Sequence, residues 1–337
     1  MHPFFVPPCV VHDTTDTTDG PHGELTILSS DNVRFTVSKR ALSKACSVFD
    51  DMFAFPCPSP LSDSSSGDDD TEGPVVPLSE HSAVLSKFLD ALRPGSMVTF
   101  ANLTEMEEFY GIADKYCSES AMEVARKALV SRAESSPVEA YLLACRLGLE
   151  TEARAAARCA LKLPISELKE KGKHHLETPK EGLQAQASAL EQLWAYHEQC
   201  RAAVTTVSDC EYWALNDLKV IPTVFFDPRI PPPPSVFSYH ARCCTVAMSA
   251  SDLPEYHVKT WFLPFLARLG ELLAIKPSGE ELSFTEWNGL FSESVAQAKR
   301  CSRCGTHAFD ILRIYSKSAI SRAGSLVDNV ELEFRPL

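Results

Sequence analysis

The chain has 337 residues, of which 45% are hydrophobic and 23% charged, the composition of an ordinary globular protein long enough for two domains. Its 32 basic and 45 acidic residues leave a net charge of −13, and no basic run stands out. That balance argues against sequence-independent nucleic-acid binding, which depends on Lys and Arg neutralising phosphates.

Residues 1–22, rich in Pro, Thr and Asp, read as a disordered leader. The opening MHPFFVPPCVV lacks a basic n-region and is broken by proline, so it makes a poor signal peptide. No apolar run approaches the ~20 residues of a membrane span, and an intracellular protein of the cytoplasm and/or nucleus is expected. Asn102-Leu103-Thr104 matches a glycosylation acceptor but stays idle in such a protein.

Leu25-Thr26-Ile27-Leu28 and the alternating Val33-Arg34-Phe35-Thr36-Val37 flank a polar cluster, Ser29-Ser30-Asp31-Asn32, which predicts a β-hairpin. Leu42, Ala45, Cys46, Phe49 and Phe53 follow at spacings of three and four, an amphipathic helix or a pair of short ones. Residues 54–74 are rich in Pro, Gly, Ser and Asp and read as an acidic loop inserted in the domain. Lengthening a loop from ~5 to ~20 residues costs only about 1.2 kcal/mol, so a fold can carry it. Ser65 and Ser66, each with Asp three residues on, are candidate acidophilic-kinase sites, set against a plain solvated loop.

Val75-Val76-Pro77-Leu78 reads as a short edge strand, because Pro donates no ladder bond. Ser79 is placed as the N-cap of a helix with Val84, Leu85, Phe88, Leu89 and Leu92 on one face, ended by Arg93-Pro94-Gly95. Thr104 and Glu107 form a capping box for a helix with Met106, Tyr110, Ala113 and Cys117 as its stripe, and Met122, Ala125 and Leu129 mark the next. Ser136-Pro137-Val138-Glu139 combines an N-cap, Pro at the first helical position and a closing Glu. Val138, Tyr141, Leu142, Cys145 and Leu149 continue that helix. A partner from Thr151 presents a small face of Ala153, Ala156, Ala157, Ala160 and Leu161. Residues 170–182, holding His174 and His175, read as a charged linker or an exposed helix end. A helix over 183–204 follows, with Leu190, Leu193, Trp194, His197 and Val204 on one side and Trp194 as a core anchor. Pro231-Pro232-Pro233-Pro234 reads as a stiff spacer.

The twelve cysteines are too scattered for a secreted disulfide scaffold, and Cys46, Cys117, Cys145 and Cys159 fall on apolar helix faces as small hydrophobes. Only two ligand pairs are closely spaced: His240 with Cys243, and Cys301 with Cys304. His-x2-Cys and Cys-x2-Cys could supply the four tetrahedral ligands of a structural zinc, with Cys244 or His307 able to replace one of them; packed or exposed ordinary thiols are the alternative. Between the pairs, Val258, Phe262, Phe265, Leu269 and Leu272 recur at helix spacing around Pro264. Two more helices follow, carrying Val295 and Ala298, then Phe309, Leu312, Tyr315, Ala319 and Ile320, and Val330-Leu332-Phe334 closes the chain as a strand-like run.

Strand, polar turn, strand, then Lys39, Leu42, Ser43, Ser47, Val48, Phe49, Met52 and Phe53 together resemble the opening of a BTB/POZ domain, a protein-interaction fold. Ser38 stands where that family usually has His before the Lys, and Glu24 where it has Asp. The similarity covers roughly residues 20–132, and a weaker similarity to uncharacterised fungal BTB proteins runs on to the C-terminus. It implies an α+β BTB/POZ-like domain over 23–132, a short β-sheet flanked by helices. A helical extension over 133–205 and a mainly α-helical C-terminal region over 206–337 with the candidate zinc site would follow. Some members swap an extra N-terminal strand between copies, and the leader has no β-rich run to supply one, so no strand-swapped dimer is expected.

No phosphate loop, Gly-rich dinucleotide turn, His-Glu-x-x-His or Gly-x-Ser-x-Gly elbow occurs in the sequence, so no enzyme, catalytic residue or small-molecule substrate is expected. The resemblance implies a protein–protein interaction module binding a second copy or acting as an adaptor for a cullin-type ubiquitin ligase. The alternative is a transcriptional co-regulator recruited through its BTB part.

Overall fold

A computed structural model describes residues 23–55, 75–177, 183–210, 213, 225–226, 244–249, 256–278 and 284–337. The chain divides into two compact units at Ser135 and Ser136. The leader, most of the inserted loop with Ser65 and Ser66, and the tetraproline segment lie outside the described residues.

In the first unit, β1 (Glu24–Leu28) and β2 (Arg34–Ser38) pair antiparallel, with Leu25 opposite Val37 and Ile27 opposite Phe35. Because side chains alternate along a strand, this register sends all four apolar residues to one face, where none is more than 4% exposed. The polar turn between them closes through Ser29, whose N–H and hydroxyl both donate to the Val33 carbonyl. Asn32 there takes a φ of 61°, the left-handed region that a short polar side chain tolerates. β3 (Val75–Pro77) lies parallel to β1, giving the order β2-β1-β3 with Pro77 on an edge strand.

The expected helical segment after the hairpin is two short helices, α1 (Lys39–Ala45) and α2 (Ser47–Ala54). Ser38 caps α1, its hydroxyl accepting from the Ala41 N–H at 3.3 Å. α3 (Ser82–Ala91) is capped by His81 rather than Ser79, and Asp31 of the hairpin turn accepts from the Ser82 N–H at 2.9 Å and the Ser82 hydroxyl at 2.6 Å. α4 (Leu103–Lys115) opens two residues earlier than the Thr104 box implied. Asn102 accepts from the Glu105 N–H at 2.9 Å and Glu105 reaches back to the Ala101 N–H at 2.7 Å. The inward stripe is accordingly Met106, Phe109, Ile112 and Ala113; Tyr110 is half-buried and Cys117 is exposed, in a left-handed turn with φ 50°. α5 (Glu119–Ala133) buries Ala121, Ala125, Leu129 and Ala133.

Phe49 stacks on Tyr116 at 4.8 Å between ring centroids, and Phe88 meets Phe109 edge-on at 6.5 Å. At the margin of this core the Tyr116 hydroxyl donates to Glu80 at 2.8 Å, and Lys115 pairs with the same carboxylate. Burial works to raise the Glu80 carboxyl, but the bonds from Lys115 and Tyr116 outweigh it and hold it below the usual range.

The second unit begins with α6 (Pro137–Arg146), which has Pro in its first turn as expected, although Ser136 makes no side-chain cap bond. Instead of one apolar stripe, Val138 and residues 140–145 are all at most 2% exposed, so α6 is buried almost all round. Gly148, at φ 69°, ends the turn after it, with Leu149 N–H bonding back to the Ala144 carbonyl. α7 (Glu150–Ala160) turns the expected small face inward, with Ala153, Ala156, Ala157 and Ala160 at most 1% exposed. α8 (Ile165–Glu177) occupies much of the segment anticipated as linker or exposed helix end; His174 on it is exposed, and His175 lies 3.6 Å from Glu139. α9 (Leu183–Thr205) packs against α6, α7 and α8. Trp194 is only half-buried on it, whereas Trp213 is fully enclosed, its Nε1 donating to the Val207 carbonyl at 2.6 Å.

The region expected to be mainly helical also carries a second sheet, β4 (Phe225–Phe226), β5 (Thr245–Met248) and β6 (Tyr256–Lys259), antiparallel in the order β4-β6-β5. Val258, assigned by periodicity to a helix, lies in β6. The helix α10 (Leu263–Ile275) starts only after a 3-10 turn at Thr260–Phe262, with Pro264 in its first turn where a missing N–H costs nothing. α11 (Phe284–Ala298) and α12 (Ala308–Asp328) complete the unit. The last residues, 331–337, carry no strand; Leu332 is buried, and the Leu337 N–H donates to the Cys145 carbonyl at 3.0 Å. Among the described residues no helix is long and apolar enough to cross a membrane.

Candidate metal centre

Cys244 immediately precedes β5, and the hairpin fixes its backbone. Its carbonyl accepts from the Thr260 N–H at 2.8 Å and the Thr260 hydroxyl at 3.2 Å, just beyond the Thr245–Lys259 pair of the ladder. Its φ is 53°, a conformation that a residue with a Cβ adopts at a cost. The two other thiols come from the turn joining α11 to α12. The Cys301 N–H bonds to the Ala298 carbonyl at 3.0 Å, continuing the end of α11. The Gly305 N–H then bonds to the Cys301 carbonyl at 3.0 Å, so that residues 301–305 curl into one tight loop. Gly305 suits that curl, since a Cβ there would sit 3.0 Å from the Lys299 Cα, a tight contact with backbone. The Ala308 N–H bonds to the Cys304 carbonyl at 3.0 Å and so begins α12 directly behind Cys304.

These two pieces of backbone bring the sulfurs of Cys244, Cys301 and Cys304 within 4.8 Å of one another. Cys244 is exposed, Cys301 half-buried and Cys304 buried. The three thiols could hold a metal ion, and among the described residues they are the only group of three or more His, Cys, Asp or Glu ligand atoms so gathered.

Electrostatics sets Cys301 apart from four buried cysteines elsewhere in the protein. A thiol must be deprotonated to ligate a metal, and burial pushes Cys46, Cys145, Cys200 and Cys210 each up to about 11. Cys301 moves the other way, down to about 6. The backbone N–H groups of Cys304 and Arg303 donate to its sulfur and outweigh the opposing effect of burial, and the neighbouring thiols of Cys244 and Cys304 add lesser hydrogen bonds. Hydrogen bonds to the charged form stabilise it, and backbone donors aimed at a ligating sulfur orient it as well.

Of the sequence-predicted ligands, Cys301 and Cys304 therefore meet a third thiol across more than fifty residues of chain. His240 and Cys243 lie outside the described residues, and the third sulfur is that of Cys244, the residue named as a substitute. His307, the other substitute, is the N-cap of α12 and is not in the group of clustered sulfurs. The signal for Cys244 was its place at the mouth of a hairpin, invisible while Val258 was read as helical. No family model matches the chain, and no curated protein matches it either.

Proposed function

We propose that the chain is a non-enzymatic protein-interaction module of BTB/POZ type, whose first unit is gripped by another protein chain. The observation that carries this reading is an exposed apolar strip on a folded lobe. Val48, Met52 and Phe55 recur at spacings of four and three along α2 and its C-cap, with exposures of 38%, 39% and 74%, while the adjacent Phe49 is 1% exposed. Apolar side chains so placed stay in water unless a partner covers them. The element order of residues 24–133, a hairpin, a pair of short helices, a strand parallel to β1 and then three helices, also favours the resemblance. The partner is a second copy of this chain or a cullin-type scaffold.

In this reading the second unit holds a further partner and is fastened by a structural Zn²⁺ on Cys244, Cys301 and Cys304. Thiolate ligands suit zinc, and a structural zinc contributes its binding energy to folding.

Sedimentation of the full-length chain, alone and with a purified cullin scaffold, tests the interaction role. Association with itself or with the scaffold is expected, and Val48→Asp with Met52→Asp should weaken it at least tenfold while leaving the far-ultraviolet circular dichroism unchanged. A chain that stays monomeric and ignores the scaffold, or one whose association is untouched by the double substitution, contradicts the reading.

A further inference from the structure

We infer that the Cys244–Cys301–Cys304 cluster is a peroxide-sensitive fastener, in which oxidation of Cys301 to a disulfide with a neighbouring thiol expels the metal ion and frees the β5–β6 hairpin from the α11–α12 turn. The inference rests on the structural-zinc reading above and goes beyond it by assigning the site a regulation.

Three features of the geometry carry it. The sulfurs lie within 4.8 Å of one another, so a sulfur oxidised at one position has a resolving thiol at hand without a search through the unfolded chain. Access is graded: Cys244 is exposed and Cys301 half-buried, which lets a small oxidant reach the site, whereas Cys304 is buried. The cluster is also a bridge between two pieces of backbone that are distant in sequence, so losing the ion is felt by the fold and not only by the ligands. Cys244 is anchored to β6 through Thr260, and Cys301 and Cys304 sit in the turn that starts α12.

The chemistry is the two-electron oxidation of two thiolates by hydrogen peroxide. The Cys301 thiolate attacks one peroxide oxygen; the S–O bond forms, the O–O bond breaks and hydroxide leaves, giving the sulfenic acid. A neighbouring thiolate, from Cys244 or Cys304, then attacks that sulfur; the S–S bond forms, the S–O bond breaks and a second hydroxide leaves. Two protons convert the two hydroxides to water. Two sulfurs have together lost two electrons, the peroxide has gained them, and Zn²⁺ departs as the aqueous ion because a disulfide sulfur is no longer an anionic ligand. A thiol reductant with added Zn²⁺ reverses the change by thiol–disulfide exchange.

The test uses the full-length chain, with zinc content measured by elemental analysis before treatment. Zinc released by hydrogen peroxide is followed with a chromogenic chelator, and cysteines are mapped by mass spectrometry. The expected result is one zinc per chain before treatment, released with formation of a disulfide that contains Cys301 and restored by dithiothreitol and Zn²⁺. Cys117→Ser, which removes an exposed thiol of the first unit, should release zinc as the unaltered chain does. Zinc that stays bound at peroxide doses that oxidise Cys117 overturns the inference and leaves the zinc reading standing, as does release with Cys301 still reduced. A chain that carries no zinc and takes none up overturns both.

Discussion

The two hairpins of this protein are built on opposite economies of burial. In the first, both strands contribute to a core: Leu25, Ile27, Phe35 and Val37 are all buried, none more than 4% exposed, and α1 packs against β2. In the second, β6 buries Tyr256 and Val258, but no residue of β5 is buried and Val246 is 37% exposed. At roughly 25 cal/mol per Å² of apolar surface removed from water, a strand with no buried side chain has little to hold it beyond its ladder to one neighbour. That is the strand that follows Cys244, whose sulfur lies within 4.8 Å of those of Cys301 and Cys304. The contrast sets a hairpin closed by packing against one whose outer strand is left to its ladder, with three clustered thiols at its mouth.

The largest effect should follow removal of the metal ion. A structural zinc carries an apparent ~10–16 kcal/mol at neutral pH, more than most domains have in total stability. Stripping it with a strong chelator should therefore lower the thermal transition of the second unit and leave that of the first in place, as seen by calorimetry of the full chain. Phe49→Ala should do the converse. It empties the site stacked on Tyr116, costs about 3–5 kcal/mol and lowers the first unit's transition while zinc stays bound.

The two units should also part company in acid, with a smaller effect. His197 in α9 is fully buried, its Nε2 donating to the Leu163 carbonyl at 3.0 Å, and burial lowers its pKa below the ordinary 6.5. Below 6.5 the unfolded chain takes up a proton that the folded chain resists, so the second unit loses stability as the pH falls through the folded value. Glu80 of the first unit is likewise depressed, from an ordinary 4.5, so its contribution is fully present above 4.5 and is lost only as the pH falls further. Denaturant midpoints of the two transitions between pH 7 and 4 should show the second unit weakening first, and Glu80→Gln should cost the first unit about 1–3 kcal/mol at pH 7.

Much of the first unit was legible from its sequence because its signals are local. The alternation of Phe35 and Val37 and the polar turn before them set a hairpin without reference to the rest of the chain, although Val33, expected on the same face, lies outside β2 and is 38% exposed. The errors there are shifts of a cap by two residues, as at Asn102, where several neighbouring polar residues could each bond the free N–H groups. The second unit was less legible because its signals are not local. Val258 shares helical spacing with Phe262 and Phe265, and only pairing with Val246 and Phe225 makes it a strand. For the same reason the Cys-x2-Cys pair could be read in sequence, but the third sulfur could not be chosen between adjacent cysteines until the hairpin placed Cys244.

Amide hydrogen exchange of the full-length chain, with zinc and then with a chelator, tests most directly the claim that one hairpin stands on packing and the other on its thiols. The account predicts that the amides of Val246 and Val258 lose protection when the metal is removed, while those of Ile27 and Phe35 keep theirs. Equal protection of all four in both conditions would contradict it.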